Sequence, residues 1–562
     1  MKKLPKLLNI AKNEGAKKAF YFCAVLAALI LLWWVAAAVF FKNNPAVPAP
    51  PEVFGGVWAA AKSGKLWLAA WNTVFKAFLG FVFSFILGLI LAVLANLFAR
   101  VKYCLEPVVT IARSFPTLGV TYLLLMYFGV GETAVIIGVL VIFPIFYASL
   151  FAAIRDTDPK VLQMADAYRI GRSRRTLKIL LPGILPQIFA AVLSAFALNI
   201  KVVIAAEIVG GIAPNTIGNF MSIARSEGDY AAMFTWVLVA VMLAFLAEAA
   251  IKLVMRLSMP WAGNQITNYK LQITNKDDTS ASDLTSLPIH YSLFTIHSPT
   301  PHSSLLTPNS PPSAIPPKIE FRSVSFSFPA TRVFQDFSAE FSPGKIHCIF
   351  GPSGSGKTTL LNVTAGLIKP QSGGVLHDGK SGTPRVSYMF QEPRLIGERT
   401  VLKNLTLVLE PVLAAEGKTR KEARAEAKAR ALAMLGAVGL KDAANRYPGA
   451  LSGGMAQRVS LARAFCFPSQ ILLMDEPFKG LDYRLQKSAR ALFLSLWAQN
   501  PKTVLLVTHD ADEAVLLSDE IHRFCRYAPV TGFSELSIPA PREGRKASDP
   551  ELAALKERLL CD

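Results

Sequence analysis

The residues best placed to do chemistry are the octapeptide GPSGSGKT, Gly351 to Thr358, which fits the spacing GxxxxGK[ST] with Gly351, Gly356, Lys357 and Thr358 in register. Glycines let such a loop wrap closely enough for backbone N–H groups to point at phosphate oxygens, and a following helix turns its positive end to the same anion. The flanks suit this: Lys345 to Phe350 reads as a buried strand and TLLNVTAGL as a helix. Ser353, Gly354, Gly356 and Thr359 then belong to the phosphate cradle. Lys357 reaches the β- and γ-phosphates of ATP, and the Thr358 hydroxyl sits on Mg²⁺. A Gly/Ser turn that fits by chance is the competing reading, and residues farther along remove it.

The first of these is ILLMDEP, an apolar strand that ends in two acids, Asp475 and Glu476. Asp475 would hold Mg²⁺, directly or through water, and Glu476 is positioned to polarise an attacking water as general base. Upstream lies LSGGMAQR, Leu451 to Arg458, where Ser452, Gly453 and Gly454 open a helix and offer a second anion site.

LSGGMAQR differs from the LSGGQ signature of ABC ATPases only at Met455, and with GPSGSGKTTLL and LLMDEP before and after it the region resembles that family. The resemblance implies further roles. Phe328, at the end of the alternating strand KIEFRSVSFSF, occupies the place of an aromatic that stacks on adenine, although a core phenylalanine also fits there. Gln391 in MFQEPRLI matches the glutamine that senses Mg²⁺ and the γ-phosphate. GLD, with Asp482, resembles the D-loop, with Gly480 where alanine is usual. His509, after the strand TVLLVT, matches the switch histidine that touches the γ-phosphate. In this family the P-loop and the signature lie on opposite edges of one ATPase, so each ATP is sandwiched between two copies. One chain has one of each, which implies a homodimer.

What carries this machinery is a chain of 562 residues, 52% hydrophobic, with mean hydropathy +0.38, too long for one domain and too apolar for an ordinary soluble protein. Its net charge of +20 admits nucleic acid, an anionic membrane face or an anionic substrate. Much of the Lys and Arg flanks apolar runs, and no basic stretch is interleaved with aromatics for base stacking, so membrane lipid is the expected partner and nucleic acid is not. The six cysteines are scattered without a CxxC pair, which gives no sign of a disulfide frame or a metal site.

Residues 1 to 263 read as an all-α transmembrane domain of six helices, at 19 to 41, 66 to 98, 107 to 128, 131 to 154, 183 to 209 and 231 to 257. The first is too long for the core of a cleaved signal. The segment between spans four and five is rich in Arg and Lys while the loop after span three is only GVGE, so both termini face the cytoplasm. Span five carries Lys201 and Glu207. Their spacing does not place them on one helical face, so they do not pair directly; ionisable groups are costly in lipid, so they face a pathway, or else Lys201 snorkels and Glu207 lies in the outer interface. Residues 264 to 317 form a Ser/Thr/Pro-rich disordered linker with a repeated QITN, at 265 to 268 and 272 to 275. Residues 318 to 562 form the α/β ATPase domain.

The basic segment holds ADAYRIGRSRRTLKILLPGILPQI, which resembles the EAA loop of ABC importer permeases, with Gly171 and Leu181-Pro182 in place. Ala165 stands where the family has glutamate, and Asp166 follows one residue, about 100° around a helix, later. In the family this loop docks into a groove on the ATPase. Together with PAPPEVF, PTLGVTYLLLMYFGVGE and VVIAAEIVGG, it makes residues 1 to 263 similar to permeases of the nitrate, sulfonate and taurine import group.

The resemblance implies ATP-driven import of a small anionic solute across a bacterial cytoplasmic membrane, with an extracytoplasmic solute-binding protein as partner. Two other classes compete. An exporter half-transporter would have helices running far into the cytoplasm, whereas these loops are short. A membrane-anchored ATPase with a signalling or mechanical role would hydrolyse ATP indifferently to any solute.

Overall fold

A computed structural model describes residues 4–41, 46–211, 214–259, 261, 316–381, 385–481, 483–524, 529–538, 542, 545 and 549–560. It packs as two compact units, one running to Asp156 and resuming at Ile184, the other formed by Thr157–Gly183 together with the C-terminal part of the chain. Of the expected linker only residues 316 and 317 are described, and its QITN repeat lies outside the described residues.

In the first unit, among the described residues, five helices are long and apolar enough to cross a membrane: Phe20–Phe40, Lys65–Leu97, Val130–Arg155, Arg172–Gly210 (which starts in the second unit) and Tyr230–Ser258. The span expected at 107 to 128 is not one helix. It consists of Ala99–Ser114 and Thr117–Tyr127, bent by 96°, and only counting the pair as one span gives six. The break falls at Phe115 (φ −64°, ψ 130°), which precedes Pro116. Proline's ring clashes with a helical residue before it and drives that residue to extended backbone.

Lys65–Leu97 carries a stripe of small buried residues, Ala69, Thr73, Ala77, Gly80, Ser84 and Gly88, at helical spacing, and packs on Val130–Arg155 where Gly80, Ser84 and Gly88 approach Val135, Val139 and Phe146. Apolar lipid gives no hydrophobic drive for this association, so close backbone approach must supply it. A Cβ on Gly88 would stand 2.7 Å from that of Phe146. Asn199, fully buried on the following span, donates to the Ala77 carbonyl at 2.5 Å.

Glu207 is also fully buried. It accepts from Thr73 Oγ1 at 2.9 Å and from the Gly218 N–H at 3.3 Å, and its charge is met by Lys76 Nζ at 3.5 Å, from a different helix. Lys201 is exposed and not its partner.

In the second unit the strands are β1 (Ile319–Phe328), β2 (Thr331–Phe341), β3 (Ile346–Phe350), β4 (Ser372–His377), β5 (Lys380–Ser381), β6 (Val386–Met389), β7 (Ile471–Asp475), β8 (Thr503–Thr508), β9 (Glu520–Arg523) and β10 (Ser534–Ser537). They form an antiparallel sheet ordered β2-β1-β4-β5 and a six-stranded sheet ordered β10-β9-β3-β8-β7-β6. β3, β6, β7, β8 and β9 are parallel neighbours. IHCIF, ILLMD and TVLLVT are buried at every position, as central parallel strands covered on both faces must be. Their carboxyl ends deliver Phe350, Asp475 and Thr508 to one edge.

Candidate functional site

The first element of the site is the turn between β3 and the Lys357–Thr364 helix. Gly356 caps that helix at φ 94°, and a Cβ there would lie 2.7 Å from Val333 Cγ1, so glycine is required on both counts. Gly354, also left-handed at φ 83°, and Ser353 are exposed on the turn, while Thr359 is half-buried in the helix. Lys357 is 7% exposed and donates to the carbonyls of Gly351 (2.8 Å) and Pro352 (2.6 Å). Burial pushes its pKa down, although Glu476 and Asp475 act in the other direction.

β7 lies beside β8, with Asp475 opposite Val507. Thr358 Oγ1 donates to the Asp475 carboxylate, 3.1 Å from Oδ1 and 3.0 Å from Oδ2. A hydroxyl and a carboxylate converging on one point form an oxygen donor set of the kind that suits Mg²⁺. Burial holds the Asp475 pKa above the usual carboxylate range against the Thr358 hydrogen bond.

Glu476 has left-handed backbone, φ 44°, a strain of about 1–3 kcal/mol in a residue with a side chain. Its N–H donates to the Val507 carbonyl at 2.9 Å, which ties the turn to β8. The carboxylate meets His509 Nδ1 at 3.1 Å and Lys479 Nζ at 2.5 Å. Burial alone would raise its pKa, but Lys479 and His509 together bring it below the ordinary value. Glu476 and His509, distant in sequence, are thus brought together. Lys479 escaped the sequence reading; its only signal is its position three residues after Glu476 on a turn.

Ser452 caps the Gly453–Cys466 helix, its hydroxyl accepting from the Met455 N–H at 3.3 Å, and Gly453 and Gly454 form the first turn. Among the described residues, no hydrogen bond joins Ser452, Gly453 or Gly454 to the Gly351–Thr359 loop. Gln457 of the same helix donates to the Pro477 carbonyl, linking signature and β7 turn. Gly480 sits at φ 79°, where the usual alanine would be strained. Asp482 lies outside the described residues. Phe328 is 48% exposed, packed edge-on to Phe326 at 4.9 Å, so the core alternative does not hold. Gln391 is exposed just beyond β6.

A second cluster lies around the loop after β6, where Thr157–Gly183 packs. Pro159–Ala167 is a helix with Pro159 in its first turn and Asp158 as its cap. Met164, Ala165, Tyr168, Ile170 and Ile179 are buried in one core with Tyr388, Phe390 and Phe467. Tyr168, 3% exposed, stands edge-on to Phe467 at 5.1 Å and donates to the Tyr388 carbonyl at 3.1 Å. Arg463, fully buried, lies 5.5 Å from the Tyr168 ring and donates to the carbonyls of Arg394 (3.0 Å) and Pro393 (2.8 Å). Lys160 pairs with Glu392 at 2.7 Å, and Arg394 donates to Gln163 Oε1 at 2.8 Å. Ala165 is therefore a buried contact, and Asp166 points elsewhere, to Arg175 at 2.6 Å. Tyr168, Arg394 and Arg463 were missed from sequence, because a tyrosine in a basic loop carries no sign of burial.

Residues 334–479 match the family described as ABC transporter, and residues 84–261 match the family described as binding-protein-dependent transport system inner membrane component. The chain is 40% identical over 231 residues to an aliphatic sulfonates import ATP-binding protein of Rhodococcus jostii, covering 41% of this chain and 86% of that protein. It is 39% identical over 215 residues to another of that description from Pseudomonas syringae, covering 38% and 72%. It is 36% identical over 214 residues to a nitrate import ATP-binding protein of Synechococcus elongatus, covering 37% and 32%.

Proposed function

Because this chain belongs to the ABC transporter family and joins an importer-type permease to its ATPase in one polypeptide, we propose that it takes up a small anionic solute delivered by an extracytoplasmic binding protein. It is an integral membrane protein that couples ATP hydrolysis to import. The observation that carries the coupling is Tyr168, a residue of the segment between two spans, buried in the core beside the loop that holds Gln391. The anionic class is supported by the relatives, whose names specify sulfonates and nitrate. The exposed cation Lys201 within a span would favour such a solute by its positive potential.

In this reading Gly351, Ser353, Gly354, Gly356 and Thr359 cradle the phosphates of ATP, and Lys357 leaves its two carbonyl partners to neutralise the γ-phosphate. Thr358, Asp475 and Gln391 would hold Mg²⁺, which would supply neutralising charge for the phosphates. Glu476 takes the proton of the attacking water, His509 donates toward the γ-phosphate, and Phe328, already at the surface, stacks on adenine. Ser452, Gly453, Gly454 and Asp482 complete the site of a second copy, so the working particle is a homodimer in the cytoplasmic membrane with its ATPase parts in the cytoplasm.

The test is uptake of labelled nitrate, taurine and an alkanesulfonate into proteoliposomes, each with a candidate binding protein, alongside ATPase rate. Solute-dependent stimulation together with accumulation is expected. Hydrolysis indifferent to every solute and binding protein would overturn the import reading.

A further inference from the structure

Apart from the nucleotide site, the second unit contains a cavity of about 600 Å³ between the Arg172–Lys178 stretch and two helices, Val401–Ala415 and Arg420–Ala437. Its walls are strongly one-signed. Arg174 and Lys178 come from the first stretch, and Arg399 and Lys403 from the start of the first helix. Arg420, Arg424 and Lys428 repeat every fourth residue along one face of the second helix. The lining has a single carboxylate, Glu410.

Among the described residues none of these seven cations makes an ion pair, while cations just outside the cavity do: Lys160 with Glu392, Arg175 with Asp166, and Lys418 and Arg430 with Glu426. Arg174 Nη1 is buried without a hydrogen-bond partner. Arg399 spends its Nε on the Lys178 carbonyl at 2.8 Å, and burial pushes its pKa down. Like charges gathered around a partly desolvated space repel one another and focus a positive potential into it.

We propose that this cavity binds a phosphate-bearing anion that bridges the docked Thr157–Gly183 segment and the ATPase's helical arm. Guanidinium forks match phosphate oxygens bidentately, and three arginines rising from separate walls, Arg174, Arg399 and Arg424, are arranged to share one polyanion. The volume lies in the range of sites for small organic ligands, so a lone inorganic phosphate would leave most of the cations unmet. Such a ligand fastens the segment that carries Tyr168 to the arm that carries Arg420–Ala437, and so tunes how tightly solute controls hydrolysis.

Two sources share the chemistry. One is a soluble phosphorylated metabolite. The other is the headgroup of an acidic phospholipid, reachable because Arg174 and Lys178 immediately precede the Leu181–Gly210 membrane helix.

The experiment uses the full chain. Pyrophosphate binding is measured by calorimetry in neutral detergent on the Lys357→Ala chain, in which the P-loop does not compete, with and without Arg424→Gln plus Lys428→Gln, both exposed positions. The ATPase rate of the Lys357 chain is measured in nanodiscs of phosphatidylcholine with and without phosphatidylglycerol, again with and without the double change. A soluble source gives one pyrophosphate per chain, weakened about tenfold or more by the double change and by added salt. A lipid source gives a phosphatidylglycerol effect on ATPase that the double change removes. If neither readout differs between parent and variant at equal melting temperature, the proposal is overturned. Should the double variant melt early, Lys403→Gln plus Arg420→Gln is judged by the same readouts.

Discussion

The Tyr168 hydroxyl donates to the Tyr388 carbonyl at 3.1 Å, so a residue encoded between two membrane spans is bonded to β6, the strand that leads directly into the loop of Gln391. Tyr388 in turn stacks on Phe390 at 3.9 Å and donates to Asn362 Oδ1, on the helix that begins at Lys357, at 3.2 Å. A short, buried chain of contacts therefore runs from the permease segment to the phosphate loop.

Tyr168→Ala should uncouple the machine. Truncating a buried aromatic costs about 3–5 kcal/mol, concentrated where Thr157–Gly183 is seated, whereas Tyr168→Phe loses one hydrogen bond worth about 1 kcal/mol. Solute-stimulated ATPase in proteoliposomes should fall to the basal rate in the alanine variant and stay near normal in the phenylalanine variant. Equal behaviour of the two would place coupling elsewhere.

Lys357→Ala should abolish tight ATP binding or turnover, and transport with it, because it removes the cation that would neutralise the γ-phosphate. Near wild-type hydrolysis by the purified variant would sink the nucleotide-site assignment.

Glu476→Gln should retain ATP but stall its hydrolysis, since an amide accepts no proton. The variant also loses the charge that holds Lys479 and His509. ATP-bound dimers should then accumulate on gel filtration. Persisting turnover without such dimers would remove Glu476 as the base.

Mixed dimers of Lys357→Ala and Ser452→Arg chains should regain hydrolysis that neither homodimer has. One composite site then draws Lys357 from one chain and Ser452 from its partner, and head-to-tail contacts between identical chains close on a two-fold axis. Purified mixed dimers that bind ATP yet never hydrolyse it would count against sharing.

Acid should destabilise the folded ATPase part. Burial pushes the His377 pKa from 6.5 to about 4 and, aided by His347, that of His522 from 6.5 to about 3. Around His522 stand His347 at 3.1 Å and the carboxylates of Glu520 and Glu535, each at 3.9 Å. Below the unfolded value of 6.5 the unfolded chain binds protons that the folded chain refuses, so stability falls as pH drops from there. Glu513, raised to about 7 by burial, works in the opposite sense and offsets part of the loss. The melting temperature of the full chain in detergent should be lower at about pH 5 than at about pH 7.5, and His377→Asn should narrow the difference. A rising melting temperature on acidification would contradict the neutral assignments.

The phosphate loop, the two acids after ILLM and the apolar spans were legible in the chain, because each depends on neighbours in sequence. Glycine spacing sets a loop's conformation, and a run of apolar residues sets a strand's burial or a helix long enough to span. Gly356 at φ 94° and the fully buried β7 are what such local rules dictate. The Phe115-Pro116 break was within reach of the same rules, since proline restricts its predecessor, but hydropathy averaged over 107 to 128 conceals it.

What only the tertiary structure decided are the partnerships that cross helices and strands. Glu207 is met by Lys76 rather than by anything on its own helix, and Lys479 sits on the carboxylate of Glu476. Tyr168 leaves its basic loop for the core. Charged and polar groups are satisfied by whatever the fold brings within about 3 Å, and sequence distance carries no record of that. Departure from the family pattern at Ala165 is absorbed in the same way: the position is buried at 0% exposure, so the seat is held by packing, while Asp166 turns to Arg175 at 2.6 Å.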